Sequence, residues 1–511
     1  MVKHIIGLLI VIFLVTSCSL VNNVTTGNPT SPILVAPSAT ASVSNPTEVS
    51  TSTVAPAATE TPAATPTSSI PSGAVVVNTF DQEVFPFKQD GNCSLGEAIW
   101  AVQTHKDQDG CVVAAGSSTI YMPMGTYTLT DPDTSSPPMP GAEGRLGFDP
   151  GGFPVIYTAV TILGNGSTIQ RMGPNKFGIF QLTAQADLTL NDLTISGGDN
   201  SNVDLSNGGA IEIQLGQTTL NHVIVTGNQS YDGGGISNST GTLTLNDSVV
   251  RGNTAAFSGG GIYNSGLGAC DQCGGNLGGG IVIVKNSIIS SNVVEGEDNN
   301  DGGIYNDAGT VTLDHSQLVS NQAAEGGGIY NDSGKLNIID QSVVSGNVAT
   351  EVSDIPHGGG GINSLGVGGD ALVTLRDSFI IGNQAPKSVA GGIYVQGPES
   401  NSTVLKITNS VLADNSALAS GGILIDFAGT GSITGSCIVE NKATKVPGNV
   451  GGDIDNGNTD QVPFAASNNW WGASSGSGSV SQFVTTAPVL TSPPAICAGA
   501  IPTSYPTPSG K

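Results

Sequence analysis

Lys285, Asp314, Asp340 and Arg376 each stand seven residues before an asparagine, at Asn292, Asn321, Asn347 and Asn383. Those asparagines end successive copies of one repeated phrase. If each copy supplies one strand, the four side chains form a column with about 4.8 Å per step. Asp314 and Asp340 would then be a carboxylate pair able to take Ca²⁺, the one cofactor these residues suggest. Lys285 and Arg376 would flank that pair at its two ends. His315 and Asp377 stand beside the line. The same four residues also read as two ion pairs between copies, Lys285 with Asp314 and Asp340 with Arg376. Exposed pairs contribute little beyond register. Carboxylates also keep neighbouring cations protonated, which makes them poor bases.

A second column has the chemistry of binding. Tyr263, Tyr305, Tyr330 and Tyr394 each follow the isoleucine of a glycine-rich phrase. With Ile pointing inward, strand alternation sends Tyr outward. Such rings either pack against sugar rings or stack on one another as a stiffening ladder. Asp307 and Asp332 flank the row. The acidic runs 298–301 and 453–460 lack EF-hand spacing and read as solvated turns.

The element that must position these columns is the repeat itself. Counted back from Asn228, Asn253, Asn292, Asn321, Asn347, Asn383, Asn415 and Asn441, eight copies align without gaps. An apolar pair precedes the Asn by three and four residues in every copy except Gln317-Leu318. A serine precedes it by five, with Val223 the exception, and an aliphatic residue by eight throughout. The shortest spacing is 25 residues and the longest 39, so longer copies carry insertions. Each copy offers short β-rich runs separated by Asn, Asp, Gly and Ser, which form turns. A unit this short buries its apolar face only by stacking on its neighbours. The expected fold is all-β: a right-handed parallel β-helix of about 10 to 12 coils, on the order of 50 to 60 Å long. A propeller, at about 40 residues per blade, does not fit the shortest units.

Composition agrees with a turn-rich solenoid displayed outside the cell. Lys and Arg total 15 against 40 Asp and Glu, which argues against nucleic acid or an anionic membrane surface as partner. With only four arginines, Arg145, Arg171, Arg251 and Arg376, little cationic surface is left to grip a polyanion. Residues 1–17 read as a signal peptide, and Val15-Thr16-Ser17-Cys18 resembles the lipobox of bacterial lipoproteins. That resemblance implies an acylated Cys18 and a membrane held through the lipid anchor alone. Residues 18–72 then form a Pro/Thr/Ser-rich stalk. Six further cysteines suit an oxidising compartment. The expected bonds are Cys93 to Cys111, Cys437 to Cys497, and a local Cys270 to Cys273.

Within a cap at 73–117, Cys93 to Val102 reads as a short amphipathic helix with Ser94 and Glu97 as its capping box. It would plug the open end of the first coil. Cys93-Ser94-Leu95-Gly96-Glu97-Ala98 resembles the Cys-Ser-Leu-Arg-Glu-Ala motif heading many secreted bacterial β-helix proteins, with Gly96 where that motif has Arg. The glycine phrases paired with Asn resemble polymorphic outer-membrane protein repeats, and Asn468-Asn469-Trp470-Trp471-Gly472 resembles their closing element. The resemblance implies a pectin-lyase-like β-helix over 118–462 and a closing segment and tail over 463–511. It implies no activity, because the fold hosts many. The expected protein is a monomeric cell-surface lipoprotein that adheres to extracellular polysaccharide or to a host or neighbouring cell. The alternatives are a pectate-lyase-like enzyme working through the charged column, and a passive surface component.

Overall fold

The computed structural model describes residues 70–133, 151–201, 207–266, 279–295, 302–350, 358–397, 402–445, 451–457, 462–474 and 478–498. One coil shows how the repeat folds. Ile236–Ser239, Thr242–Asn246, Val249–Arg251 and Thr254–Ser258 are four short strands separated by corners. Each pairs in parallel with its equivalent on the next coil, Leu243 with Val282 and Val250 with Ile289. The stacked strands make a ten-stranded sheet, a nine-stranded sheet, and a 23-stranded sheet fed by two strands from most coils. This is the expected right-handed parallel β-helix, in the hand that parallel crossovers favour.

Alternation decides which side chains enter. Leu243 and Leu245 are fully buried between half-buried Thr242, Thr244 and Asn246. Ile236, Ile262, Ile304, Ile329, Ile362, Ile393, Ile423 and Ile454 stack inside the ten-stranded sheet at 0% exposure. Burying one such side chain contributes roughly 1.5–3 kcal/mol.

The corners use left-handed backbone. Between the two strands of the large sheet, His222, Asp247, Asn286, His315, Asp377 and Asn409 hold φ between 46° and 53°. Asn, Asp and His are the non-glycine residues that tolerate this region best. The identities of His315 and Asp377 thus answer to the turn. At the next corner the recurrent Asn turns its amide inward. Asn228 donates to Asn253 Oδ1 at 2.9 Å, and the relay continues through Asn292, Asn321, Asn347, Asn383 and Asn415 to Asn441 at 2.9 to 3.1 Å per step. It ends on Asp453 Oδ1 at 3.0 Å. The serine column forms a parallel relay from Ser248 N–H to Ser287 Oγ and on to Ser342 Oγ. There Ser342 N–H turns to the Ile339 carbonyl at 3.2 Å, and the relay resumes from Ser378 to Ser436, whose N–H Asn469 Oδ1 accepts at 2.9 Å. A second asparagine ladder, Asn238, Asn264, Asn306 and Asn331, runs at 2.7 Å per step along the ten-stranded sheet.

The N-terminal helix spans Leu95–Thr104 and buries Leu95, Ile99 and Val102. Its capping box is complete: Ser94 N–H donates to Glu97 Oε2 at 3.0 Å and Glu97 N–H to Ser94 Oγ at 3.2 Å. A disulfide joins Cys93 to Cys111, as expected. Gly96 has its own reason, since a Cβ there would stand 2.7 Å from the Glu83 carbonyl oxygen. The crossing segment leaves no room for the motif's arginine. Cys18, Cys270, Cys273, the stalk and residues 298–301 lie outside the described residues.

Extra chain length is not spread evenly. The corner inside the large sheet and the Asn corner stay short in every coil, as between Asn246 and Val249 and between Arg251 and Thr254. Between Ile211 and Asn456 the long connections fall where the chain enters or leaves the ten-stranded sheet: 266–280 after Ile262–Ser265, 295–303 before Ile304–Asp307, 350–361 before Ile362–Leu365, and 444–453 before Ile454–Asn456. The variable part of every coil borders one face.

Candidate functional site

The charged column does not assemble as the counting rule expects. Asn246, Lys285 and Asp314 are true register neighbours, but Asp314 faces Ile339, not Asp340. Between the strands Lys335–Ile339 and Val343–Ser345 this coil carries one more residue than its neighbours. Asp340 and Gln341 both occupy the corner, at φ 50° and 64°. The buried aliphatic of this coil is accordingly Ile338, paired with Leu313 and Leu375, while Ile339 is half-buried. Two adjacent aliphatics conceal the slip from a count along the chain.

The ion pairs follow this geometry. Arg376 Nη2 lies 3.0 Å from Asp340 Oδ1, and its Nη1 3.1 Å from Asp377 Oδ2. Lys285 and Asp314 do not pair; among the described residues Lys285 makes no ion pair, and Asp314 Oδ1 takes His315 Nδ1 at 2.8 Å. Asp314 and Asp340 are therefore not the adjacent carboxylates a Ca²⁺ site of this kind needs. Arg376, held by two carboxylates, is poorly placed to accept a proton. Among the described residues, no cluster of three or more His, Cys, Asp or Glu is arranged to hold a metal ion.

The tyrosine column forms for three of its four members. Tyr263, Tyr305 and Tyr330 are register neighbours on the outer side of the ten-stranded sheet and are half-buried. Their rings stack on each other, with centroids 5.2 and 5.6 Å apart and planes tilted by 11° and 23°. Each ring's face therefore lies along the rod axis against its neighbour, and the ring edge is what turns outward. Tyr394 departs from the expectation. Asn363 takes the position between Tyr330 and Tyr394. Tyr394 itself is 1% exposed, packed with Leu365, Ala390 and Leu424. Its hydroxyl donates within 3.3 Å of Gln396 Oε1 and 3.4 Å of Asp426 Oδ2.

Carboxylates share this face. Asp307 and Asp332 are register partners two residues beyond the stacked tyrosines. Burial, and then the Asp332 charge, push the Asp307 carboxyl up to about 6. Asp332 Oδ1 accepts from Ser333 Oγ at 2.7 Å and from Val367 N–H at 3.2 Å. Asn363, fully buried, donates to Glu325 Oε2 at 2.9 Å, and its Oδ1 finds no partner among the described residues. On the nine-stranded sheet, burial lifts the Asp232 carboxyl to about 7, although its Oδ1 accepts Ser258 N–H at 3.1 Å. Sequence reasoning missed Asp232, since it stands outside the repeated phrase.

Among the remaining cysteines, Cys437 and Cys497 are free thiols rather than the expected disulfide, although both belong to one apolar cluster. No helix among the described residues is long and apolar enough to cross a membrane.

Comparison with known proteins adds little to this geometry. No family model matches the chain, and no curated protein matches it. Among solved structures it is similar to the A-module of mannuronan C-5 epimerase AlgE6 from Azotobacter vinelandii, at 13% identity, over 77% of this chain and 94% of that one. The TM-score of 0.26 leaves the functional reading to the site itself.

Proposed function

We propose that this β-helix is a binding rod whose ten-stranded face takes an extracellular carbohydrate. The observation that carries the reading is the coincidence of two features on one face. Between Ile211 and Asn456 the long connections border this sheet, and its outer surface bears the stacked tyrosines with Asp307 and Asp332 beside them. Loops on a rigid scaffold are where binding residues concentrate. The stacking refines how a sugar would be held. Tyr305 has both faces against neighbouring rings, so contact runs through ring edges, phenol hydroxyls and carboxylate acceptors, by hydrogen bonds to sugar hydroxyls. The carboxylates and the net charge of −25 favour an uncharged or cationic glycan over a polyuronate.

Display outside the cell, through a lipid on Cys18 and a stalk over 18–72, belongs to the same proposal and rests on the sequence alone. So does a monomeric state. A glycan array probed with the full chain tests the binding reading. Selective binding that falls in a Tyr305→Ala/Tyr330→Ala variant with unchanged circular dichroism supports it. Absence of selective binding leaves a passive surface component. The lyase alternative predicts absorbance from unsaturated product on polygalacturonate with Ca²⁺. The engagement of Arg376 by Asp340 and Asp377 leads us to expect none.

A further inference from the structure

We infer that Cys437 and Cys497 close to a disulfide that fastens the C-terminal arm over an apolar stripe on the outside of the solenoid. The stripe is an irregularity of the fold. Val343, Phe379, Val411 and Cys437 are register neighbours on four successive coils. They point away from the interior, yet none exceeds 8% exposure. Lower in the same column Ile224, Ile288 and Gln317 remain half-buried, with Val249 alone among them buried at 7% exposure. What covers the upper part is the chain's own end: Trp470, Ile496 and Cys497 pack against it. Trp470 is tied by its N–H to the Ser436 carbonyl at 2.8 Å.

Beyond that point the arm is held lightly. Its last backbone hydrogen bond to the coils, among the described residues, runs from Leu490 N–H to the Asn469 carbonyl at 3.0 Å. The terminal helix Ala495–Ala498 buries no residue. The Cys497 side chain nevertheless packs in the same apolar cluster as Cys437, whose strand is anchored on both sides. The structure shows the dithiol form of a pair already brought together.

The chemistry is thiol–disulfide exchange with a small disulfide. The Cys497 thiolate attacks one sulfur of the oxidant and releases the first thiol. The Cys437 thiolate then attacks the mixed disulfide at Cys497 and releases the second. Two S–H bonds and one S–S bond break, one S–S bond forms, and the oxidant leaves as two thiols. Burial holds both protein thiols above their ordinary range, so the exchange is slow at neutral pH and quickens as pH rises.

The test uses the full chain equilibrated with oxidised glutathione, alkylated, and digested without reduction. The expected result is a linked peptide pair carrying Cys437 and Cys497, lighter than the two free peptides by two hydrogens. Chymotrypsin cleavage after Leu490 should quicken at least several-fold on reduction, and equally in an oxidised Cys497→Ser variant. The inference is overturned if both thiols alkylate while Cys93 and Cys111 remain bonded. It is also overturned if either thiol is found joined to Cys18, Cys270 or Cys273. A bond that forms without slowing cleavage after Leu490 overturns the fastening role.

Discussion

Asn321 accepts two hydrogen bonds from Asn292, one from its backbone N–H at 2.9 Å and one from its side-chain amide at 3.0 Å. It passes its own amide to Asn347 Oδ1 at 3.1 Å and to the Ile289 carbonyl at 3.1 Å. Every polar atom of a fully buried side chain is thereby used, and each coil depends on the next for it.

Replacing Asn321 with Ala strands two donors of Asn292 in a dry corner. It also takes one donor each from the Ile289 carbonyl and from Asn347 Oδ1, which keeps the backbone N–H of residue 321. At about 1–3 kcal/mol per unsatisfied group, a loss of about 3 kcal/mol or more is expected. Urea denaturation followed by circular dichroism reads it as a lowered midpoint. In a solenoid the coils on either side can also uncouple, giving a second transition. An unchanged midpoint would show that the ladder is dispensable.

Asp232 gives a pH dependence of definite sign. Its folded carboxyl titrates near 7, against 3.8 for the ordinary group. Between those values the folded state binds more protons than the unfolded one, so stability falls as pH rises through the window and levels off above it. In Asp232→Asn the Oδ1 acceptor for Ser258 is retained and the titration removed. The difference in melting temperature between variant and wild type should grow in the variant's favour from pH 4 to pH 7, then stay constant. A difference flat with pH would place the charge elsewhere.

The pair of Arg376 and Asp340 is largely exposed, at 50% and 36% of their side chains. Such pairs are typically worth less than about 1 kcal/mol. Arg376→Gln is expected to shift the denaturation midpoint by no more than that. A loss above about 2 kcal/mol would mean that Arg376 supports the one-residue bulge at Asp340 and Gln341.

Tyr305 contacts two rings where Tyr263 contacts one within the stack. Aromatic pairs are worth about 0.5–1.5 kcal/mol beyond the area they bury. Tyr305→Leu should therefore cost about 1 kcal/mol more than Tyr263→Leu in chemical denaturation. Equal costs would show that ring stacking does not stabilise this face.

Fold and site were not equally legible in the sequence. The Asn, Ser and aliphatic columns are periodic because each coil meets an identical neighbour, and periodicity is visible along a chain. The inserted residue beside Ile339 was not, because a count sees Ile338 and Ile339 as interchangeable while the pleat does not. Tyr394 matches Tyr330 in its phrase, but Leu365 and Leu424 enclose it from neighbouring coils, and they belong to no shared motif. His315 looked like chemistry and is a corner residue, since a side chain's type does not reveal the φ it serves. Cys437 and Cys497 are an expected pair that the structure holds as free thiols, and the stripe they meet on required knowing where the chain's end lies.

The confinement of long connections to one border of one sheet gives the molecule a practical asymmetry. Two corners of each coil are fixed by ladders that tolerate no added residue without a fault such as that at Gln341. The entries to the ten-stranded sheet obey no such rule. A foreign peptide spliced between Pro386 and Lys387, both exposed in the entry to Ile393–Gly397, would be presented at the border of that sheet away from the asparagine ladders. New specificity can therefore be written onto this rod one coil at a time, while the frame that carries it stays the same.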